Sequence, residues 1–218
     1  MSGVNEPRRR YRSPVREEAA RRTRQAIVRA AGELFVSQGY ARASLTAVAE
    51  EAGVARPTVT ASFGSKAALL KQVLDEALAG DDEPVPVAQR PWFRPVFEAR
   101  DPGAVLDAYA AVCVLIGGRA ARLFETVRRA ADDSEEAAQL WETLLTNRRF
   151  GARMVVEHAA GLGEPAPGRD LEAAIDSVWV YNDPALYGAL VHRCGWSEEA
   201  LQAWLATAMR AAVLRPVP

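Results

Sequence analysis

Cysteine and histidine are scarce. Among 218 residues there are two cysteines, Cys113 and Cys194, and two histidines, His158 and His192. Two cysteines are too few for the disulfide lattice of a secreted scaffold or for paired metal-binding knuckles. No set of His, Cys or carboxylates repeats at a metal-ligand spacing, so neither a metal nor a cofactor is expected. A GxSxG elbow and a Walker loop are both missing. Gly161, Gly163 and Gly168 follow a helix-patterned stretch rather than a strand, which removes the phosphate-loop reading. The chain is therefore not expected to be an enzyme. Long hydrophobic runs are lacking too: nowhere do 18 uncharged apolar residues run together, and the basic start MSGVNEPRRRYRSP leads into no apolar segment. Membrane spanning and secretion are not expected, and the reducing cytoplasm is the expected location.

What is present is an ordinary globular composition, 49% hydrophobic and 25% charged, in a chain long enough to bury a core without staples. The net charge of −1 hides a division. Residues 1–71 hold 13 Lys and Arg against 6 Asp and Glu, a balance of +7, and residues 72–218 hold 14 against 22, a balance of −8. All five tryptophans lie in the acidic part. One end can hold a polyanion and the other repels it, which suggests two tasks in one chain.

Apolar residues recur at helical spacing through Ile27, Ala30, Ala31, Leu34 and Phe35, predicting a first helix over 16–38 that stops at Gly39. Ser44 is placed as the cap of a short second helix ending at Gly53. A third of two turns starts near Arg56 with Pro57 in its first turn, and a fourth, capped by Ser65, runs to 79. Prolines 84, 86, 91, 95 and 102 forbid a long helix between 80 and 103. Further helical patterns fall at 103–117, 119–131, 135–160, 169–181, 184–193 and 197–214, with a loop at 161–168. The expected fold class is all-α. The expected organisation is a disordered basic arm at 1–15, a domain of four helices at 16–79, a Pro-rich linker at 80–103 and a helical domain at 104–218.

Two short helices joined at a glycine corner behind a longer basic helix have the plan of a helix-turn-helix, although glycine corners also occur in all-α proteins that never meet DNA. The outer side of the third helix carries Arg56, Pro57, Thr58, Thr60, Ala61 and Ser62, residue types that bond guanine edges or phosphates, or let the backbone approach a groove. Arg21, Arg22, Ser44, Thr46 and Lys66 are the candidate phosphate contacts. The run RQAIVRAAGELFVSQGYARASLTAVAEEAGVARPTVTASFGSKAALL, Arg24 to Leu70, resembles the N-terminal domain of the tetracycline-repressor (TetR) family of bacterial transcription regulators. The likeness is carried by Ile27, Ala30, Ala31, Leu34, Phe35, Gly39, Tyr40, Ser44, Val48, Ala49, Ala52, Gly53, Val54, Thr58, Phe63, Ser65, Lys66, Leu69 and Leu70. Leu123-Phe124, Leu140-Trp141, Asp183-Pro184-Ala185-Leu186-Tyr187 and Cys194-Gly195-Trp196-Ser197 resemble an actinobacterial-type branch of it. The chain departs from the family where Thr60 replaces a tyrosine and Ser62 a histidine that commonly grip phosphates, and where Ala55 replaces a serine cap.

This resemblance implies a homodimeric repressor that binds a near-palindromic double-stranded operator and releases it when a small-molecule effector enters its helical half. The alternative is a helical ligand-binding or interaction protein whose DNA-binding domain is degenerate. Leu171, Ile175, Val178 and the stripe Leu201, Trp204, Leu205, Ala208 and Met209 can form a four-helix dimer interface or face the chain's own core. Tyr109, Cys113, Phe124, Trp141, Leu145 and Trp179 are candidate effector-lining residues, or ordinary core. Arg148 and Arg149 are candidate polar anchors for an apolar or aromatic effector, one of them suited to a carboxylate. The competing reading of that pair is a salt bridge with Glu142 or Glu157.

Overall fold

The computed structural model describes residues 14–163 and 170–214. The arm expected at 1–15 lies almost wholly outside them, as does most of the loop expected at 161–168. Every regular element among the described residues is helical: α1 Pro14–Gln38, α2 Leu45–Glu51, α3 Arg56–Phe63, α4 Lys66–Ala79, α5 Arg94–Glu98, α6 Pro102–Ala130, α7 Glu135–Gly161, α8 Leu171–Tyr181, α9 Pro184–Tyr187 and α10 Glu198–Leu214. A 3-10 turn at Val87–Gln89 precedes α5, and a π turn at Gly188–Arg193 continues α9.

Local chemistry sets most of these boundaries. The side chains of Ser44, Ser65, Asp101, Ser134, Asp170 and Asp183 each accept a hydrogen bond from a backbone N–H in the first turn of the helix they precede, satisfying donors that have no partner inside the helix. Gly80 closes α4 in the left-handed conformation, at φ +91°, where a side chain is disfavoured.

Helices α1 to α4 form a head around Ile27, Phe35, Val48, Val59, Leu70 and Leu74. Helices α5 to α10 form a body around Val96, Leu106, Val155, Ile175, Leu205 and Met209. α6 belongs to both. Its first half supplies Val105, Leu106, Tyr109 and Val112 to the body, and its second half supplies Ala120, Leu123, Phe124 and Val127 to the head. The Thr126 hydroxyl donates to the Phe35 carbonyl at 3.3 Å, tying the end of α1 to the same helix.

α6 replaces the two helices expected at 103–117 and 119–131. Gly117 and Gly118 do not break it, because their function is close approach: a Cβ on Gly117 would stand 2.7 Å from the Cβ of Tyr187. The Tyr187 ring lies in that gap and its hydroxyl donates to Glu198, so α9, α6 and α10 meet at one point. By length and composition α6 could cross a bilayer. Instead it is the central core helix, with fourteen of its residues buried.

The segment expected as a linker is a folded strap. Arg90, only 4% exposed, pairs with Asp81 at 2.7 Å and donates to the Glu83 carbonyl at 2.8 Å. Phe93 and Val96 are buried in the body. Proline forbids a long helix there, but it does not prevent burial of what lies between the prolines.

Replacing Gly117 by Ala must therefore displace Tyr187, costing about 1–3 kcal/mol of overpacking against a helix-propensity gain of about 1 kcal/mol. Gly118 is exposed, and a Cβ there meets its nearest neighbours at 3.4 Å. Urea unfolding should show Gly117→Ala less stable and Gly118→Ala as stable as the natural chain or more so. Equal midpoints for the two variants would remove the Tyr187 gap as the reason for the glycine pair.

Candidate nucleic-acid interface and effector cavity

The corner between α2 and α3 is closed by backbone bonds from Val54 N–H to the Ala49 carbonyl at 2.9 Å and from Gly53 N–H to Glu50 at 3.1 Å. Gly53 has φ +67°, so a residue with a Cβ would be strained there. Val48, Ala49 and Val59 are buried beneath the corner. This pairing fixes which side of α3 turns outward. Arg56, Pro57, Thr60, Ala61 and Ser62 are exposed, and Thr58 is half-buried. Ala55 offers no side-chain cap, and Pro57 sits in the first turn, where a missing N–H costs nothing.

The candidate phosphate contacts divide into those left free and those already engaged. Arg22 is exposed and meets only Glu18, one turn away on its own helix. Ser44 and Thr46 are exposed at the start of α2. Arg21 is not free: Asp82 of the strap holds it at 2.6 and 2.8 Å, with Glu83 at 3.3 Å. Lys66 is also corrected. Its Nζ donates to the Tyr40 carbonyl at 2.8 Å and lies 4.2 Å from the centre of the Tyr40 ring. These two contacts brace the turn after α1, and partial burial lowers the Lys66 pKa. Arg24, absent from the expected set, donates to the Ser62 carbonyl at 3.0 Å and to Gln72 at 2.8 Å and covers the Phe63 ring. It fixes the end of α3 from behind. Arg24 lies one turn before Ile27, where the apolar stripe starts, and that spacing was the available signal.

Above the head lies a cavity of about 750 Å3, within the range of small-molecule sites. One wall is the end of α4 and the strap, including Leu78, Asp82, Val85 and Val87. The other is α6 and α7, with Tyr109, Val112, Cys113, Ile116, Phe124, Leu144, Arg148 and Met154. At its polar end Asn182 Nδ2 donates to the Tyr109 hydroxyl at 2.9 Å and to the Arg148 carbonyl at 3.1 Å. Arg148 pairs with Asp183 at 3.0 Å and donates to the Trp179 carbonyl at 2.8 Å and to Asn182 Oδ1 at 3.2 Å. Burial raises the Tyr109 phenol pKa far above its ordinary value and pushes the Cys113 thiol up to about 12. Both stay protonated at neutral pH. Burial lowers the Arg148 pKa and Asp183 opposes the shift.

The structure thus brings Tyr109, Cys113, Phe124 and Arg148 of the expected lining together. It corrects the rest. Leu144 faces the cavity in place of Leu145, one position along the helix. Arg149 points away, held by Asp176 at 2.7 Å and Glu172 at 3.0 Å rather than by Glu142 or Glu157. Trp141 stands edge-on to Phe124, at 6.4 Å, outside the cavity. Trp179 packs behind Arg148, at 5.7 Å from the guanidinium, with its ring N–H buried and unpartnered.

The expected dimer stripes are corrected in the same way. Ile175, Val178, Leu201, Leu205 and Met209 are at most 2% exposed and lie in the chain's own core. Ala208 is half-buried. Leu171 and Trp204 remain outside, at 39% and 37% exposure. An apolar stripe marks the face that a helix buries without naming the partner, and here the body claims it first.

A basic head with the outer side of α3 exposed and its inner side against α2, joined by a shared helix to a hollow acidic body, defines a helix-turn-helix DNA-binding regulator. Residues 27–73 match the family described as bacterial regulatory proteins, tetR family. The chain is 28% identical over 181 residues, 77% of this chain and 80% of the other, to the probable HTH-type transcriptional regulator ArpR of Pseudomonas putida. Its fold is similar to that of the transcriptional regulator FadR from Bacillus subtilis in complex with stearoyl-CoA, with TM-score 0.66, 18% identity and coverage of 87% and 97% of the two chains. It is equally similar to a SmeT–triclosan complex, with TM-score 0.66, 18% identity and coverage of 90% and 99%.

Two variants separate reading from bracing. Arg56→Ala should relax base preference by about 1–3 kcal/mol at one position of each half-site. Lys66→Ala should weaken all duplexes alike and lower the unfolding temperature, yet leave the salt slope of binding unchanged, since no phosphate contact is lost. A slope reduced by about 1 in Lys66→Ala would return Lys66 to the DNA surface.

Proposed function

We propose that the protein is a cytoplasmic, homodimeric repressor, released from a near-palindromic operator when a small, uncharged, largely apolar molecule fills the cavity between strap and body. The carrying observation is the composition of that cavity's walls. One wall is continuous with α4 and so with the head, and the other is the α6–α7 pair of the body. An occupant presses on both, and any preference it has for one separation changes the angle of the heads.

On this reading Arg56, Thr58, Thr60 and Ser62 face base edges and nearby phosphates. Arg22, Ser44 and Thr46 hold the backbone, Pro57 lets α3 approach closely, and Lys66 acts through the turn at Tyr40. The two heads would read half-sites about 34–36 Å apart or a multiple of it.

The effector's chemistry follows from what lines the site. Asp75, Glu76, Asp81, Asp82 and Glu83 face Arg148 alone, and Arg148 is already paired with Asp183. A carboxylate ligand would lie beside these acids and find no unpaired cation, since Lys71, Arg90 and Arg21 are held by Asp75, Asp81 and Asp82. A hydroxyl or carbonyl could instead exchange hydrogen bonds with Tyr109, Asn182 or Cys113. The relatives that hold stearoyl-CoA and triclosan support an occupant with a large apolar part.

Asp82 and Glu83 line the cavity and also hold Arg21 of α1. Arg21 keeps the carboxyl of Asp82 well below its usual pKa, so the link is intact at neutral pH. It is lost only as strong acid protonates Asp82. An effector that shifts the strap therefore pulls on α1 directly as well as through α4.

The partner surface is the remaining outer side of α8 and α10. Ala173, Val180, Ala200, Ala203, Trp204, Thr207 and Ala211 are exposed there, small residues around one tryptophan that allow close helix packing across a two-fold axis. Trp204 is already stacked edge-on with Tyr181 and Trp196.

Three outcomes test the reading. A neutral phenol or apolar alcohol that binds the cavity should lower operator affinity by about 5- to 150-fold, and saturating operator should weaken the compound by the same factor. Operator affinity unchanged within about twofold on a filled cavity would sink the switch. Asp82→Asn should shrink that coupling with little loss of stability, because exposed ion pairs contribute about 0–1 kcal/mol. Trp204→Glu should sediment as a folded monomer without specific binding, whereas Leu205→Arg should unfold the body.

A further inference from the structure

A second cleft, of about 940 Å3, lies on the other side of Phe124 and has the opposite electrostatic character. It runs between the end of α1 with the following turn, the C-terminal half of α6, and the α9 π turn. Residues 72–218 carry a net charge of −8, yet Arg122, Arg128, Arg129 and Arg193 from that acidic part all line this one cleft, joined by Arg42 from the head. Arg128 and Arg129 share Glu125, at 2.8 and 2.7 Å. Arg42, Arg122 and Arg193 are exposed and pair with no carboxylate among the described residues. Of the other acids on the lining, Asp183 is taken by Arg148 and only Asp133 is left. The cleft therefore has surplus guanidinium groups, which are suited to two-point bonding of phosphate or carboxylate.

Its floor is aromatic. Phe35 and Phe124 are buried, at 0% and 4% exposure. Tyr40 lies against Phe35 with ring centres 5.9 Å apart, and Trp141 stands edge-on to Phe124. Tyr40 and Trp141 are half-buried and line the cleft. The apolar cavity uses neither Tyr40, Trp141 nor the three free arginines.

We propose that this cleft is a second ligand site, which takes an aromatic anion: its phosphate or carboxylate is held by Arg122, Arg193 and Arg42, and its ring lies against Tyr40 and Trp141. Such a ligand spans head and body, since Arg42 and Tyr40 lie in the turn after α1, Arg193 in the π turn after α9, and Arg122 on the α6 helix that the two share. It differs from the cavity effector in charge, and the two sites are separated by the Phe124 side chain.

Matched probes test this at constant ionic strength, so that general screening is equal in every arm. 1-Naphthyl phosphate, 1-naphthoate and neutral 1-naphthol are titrated against the full chain, with tryptophan quenching as the signal. Read at the cleft, as the quenching that depends on Trp141, either or both anions should bind about tenfold or more tightly than the alcohol, and whichever does so identifies the favoured headgroup. In the double variant Arg122→Glu/Arg193→Glu that advantage should vanish while 1-naphthol binding stays within about twofold. Trp141→Phe should remove most of the quenching by the anion and little of that by the alcohol. Both substituted arginines are exposed, so circular dichroism should be unchanged.

Three results overturn the proposal. One is that, in the Trp141-dependent quenching, the anions bind no more tightly than 1-naphthol. Another is that the charge reversal leaves the anion advantage intact. The third is stoichiometric displacement of the bound anion by duplex DNA of any sequence, which would assign the free arginines to the DNA backbone. Failure of the cavity effector to release operator leaves these readouts unaffected, so the two proposals fail separately.

Discussion

The second half of α6 is the wall on which both parts of the molecule depend. Leu123, Phe124 and Val127 close the core of the head, and the same helix begins in the middle of the body. A head of one long and three shorter helices has too little apolar surface to bury unless another element covers its open side. The cover comes from the body, so the head cannot tilt without the packing along α6 and α4 responding. Phe124 concentrates this dependence: it is core to the head, wall to the apolar cavity and floor to the basic cleft.

Positive charge in the head does two kinds of work. Arg24 and Lys66 are directed at backbone carbonyls and aromatic faces of the same chain, where they hold the end of α3 and the turn after α1. Arg21 reaches across 61 residues to the strap. These cations stiffen the platform from which Arg56 and the start of α2 project. That bracing matters in a chain with Thr60 and Ser62 on α3, because short side chains reach phosphate only if the helix itself is held close to the groove.

The two hollows on either side of Phe124 sort ligands by charge. Carboxylates of α4 and the strap line one, and unpaired arginines line the other. Long-range field matters little at the distances and salt of the cell, so the side chains that line each hollow decide which ligand is tolerated. A single chain can in this way hold a neutral molecule and an anion at neighbouring positions without competition between them.

Period and punctuation in the sequence determined the helical class, the first four helices and the corner at Gly53, because backbone hydrogen bonding and capping are local and Ser44, Pro57, Gly39 and Ser65 specify them in place. The outward residues of α3 were legible for the same reason, since a tight corner leaves α3 only one side to bury. What a given apolar or charged side chain meets is not local, and only the tertiary structure decided it. The stripe through Leu201, Leu205 and Met209 marks a face that must be covered, and the body's own core covers it. Arg21 and Lys66 read as DNA contacts until Asp82 and the Tyr40 carbonyl, far away in sequence, are found beside them. Gly117 and Gly118 read as a break because glycine costs helix stability, and they are helical because Tyr187, seventy residues later, needs the space of the missing Cβ.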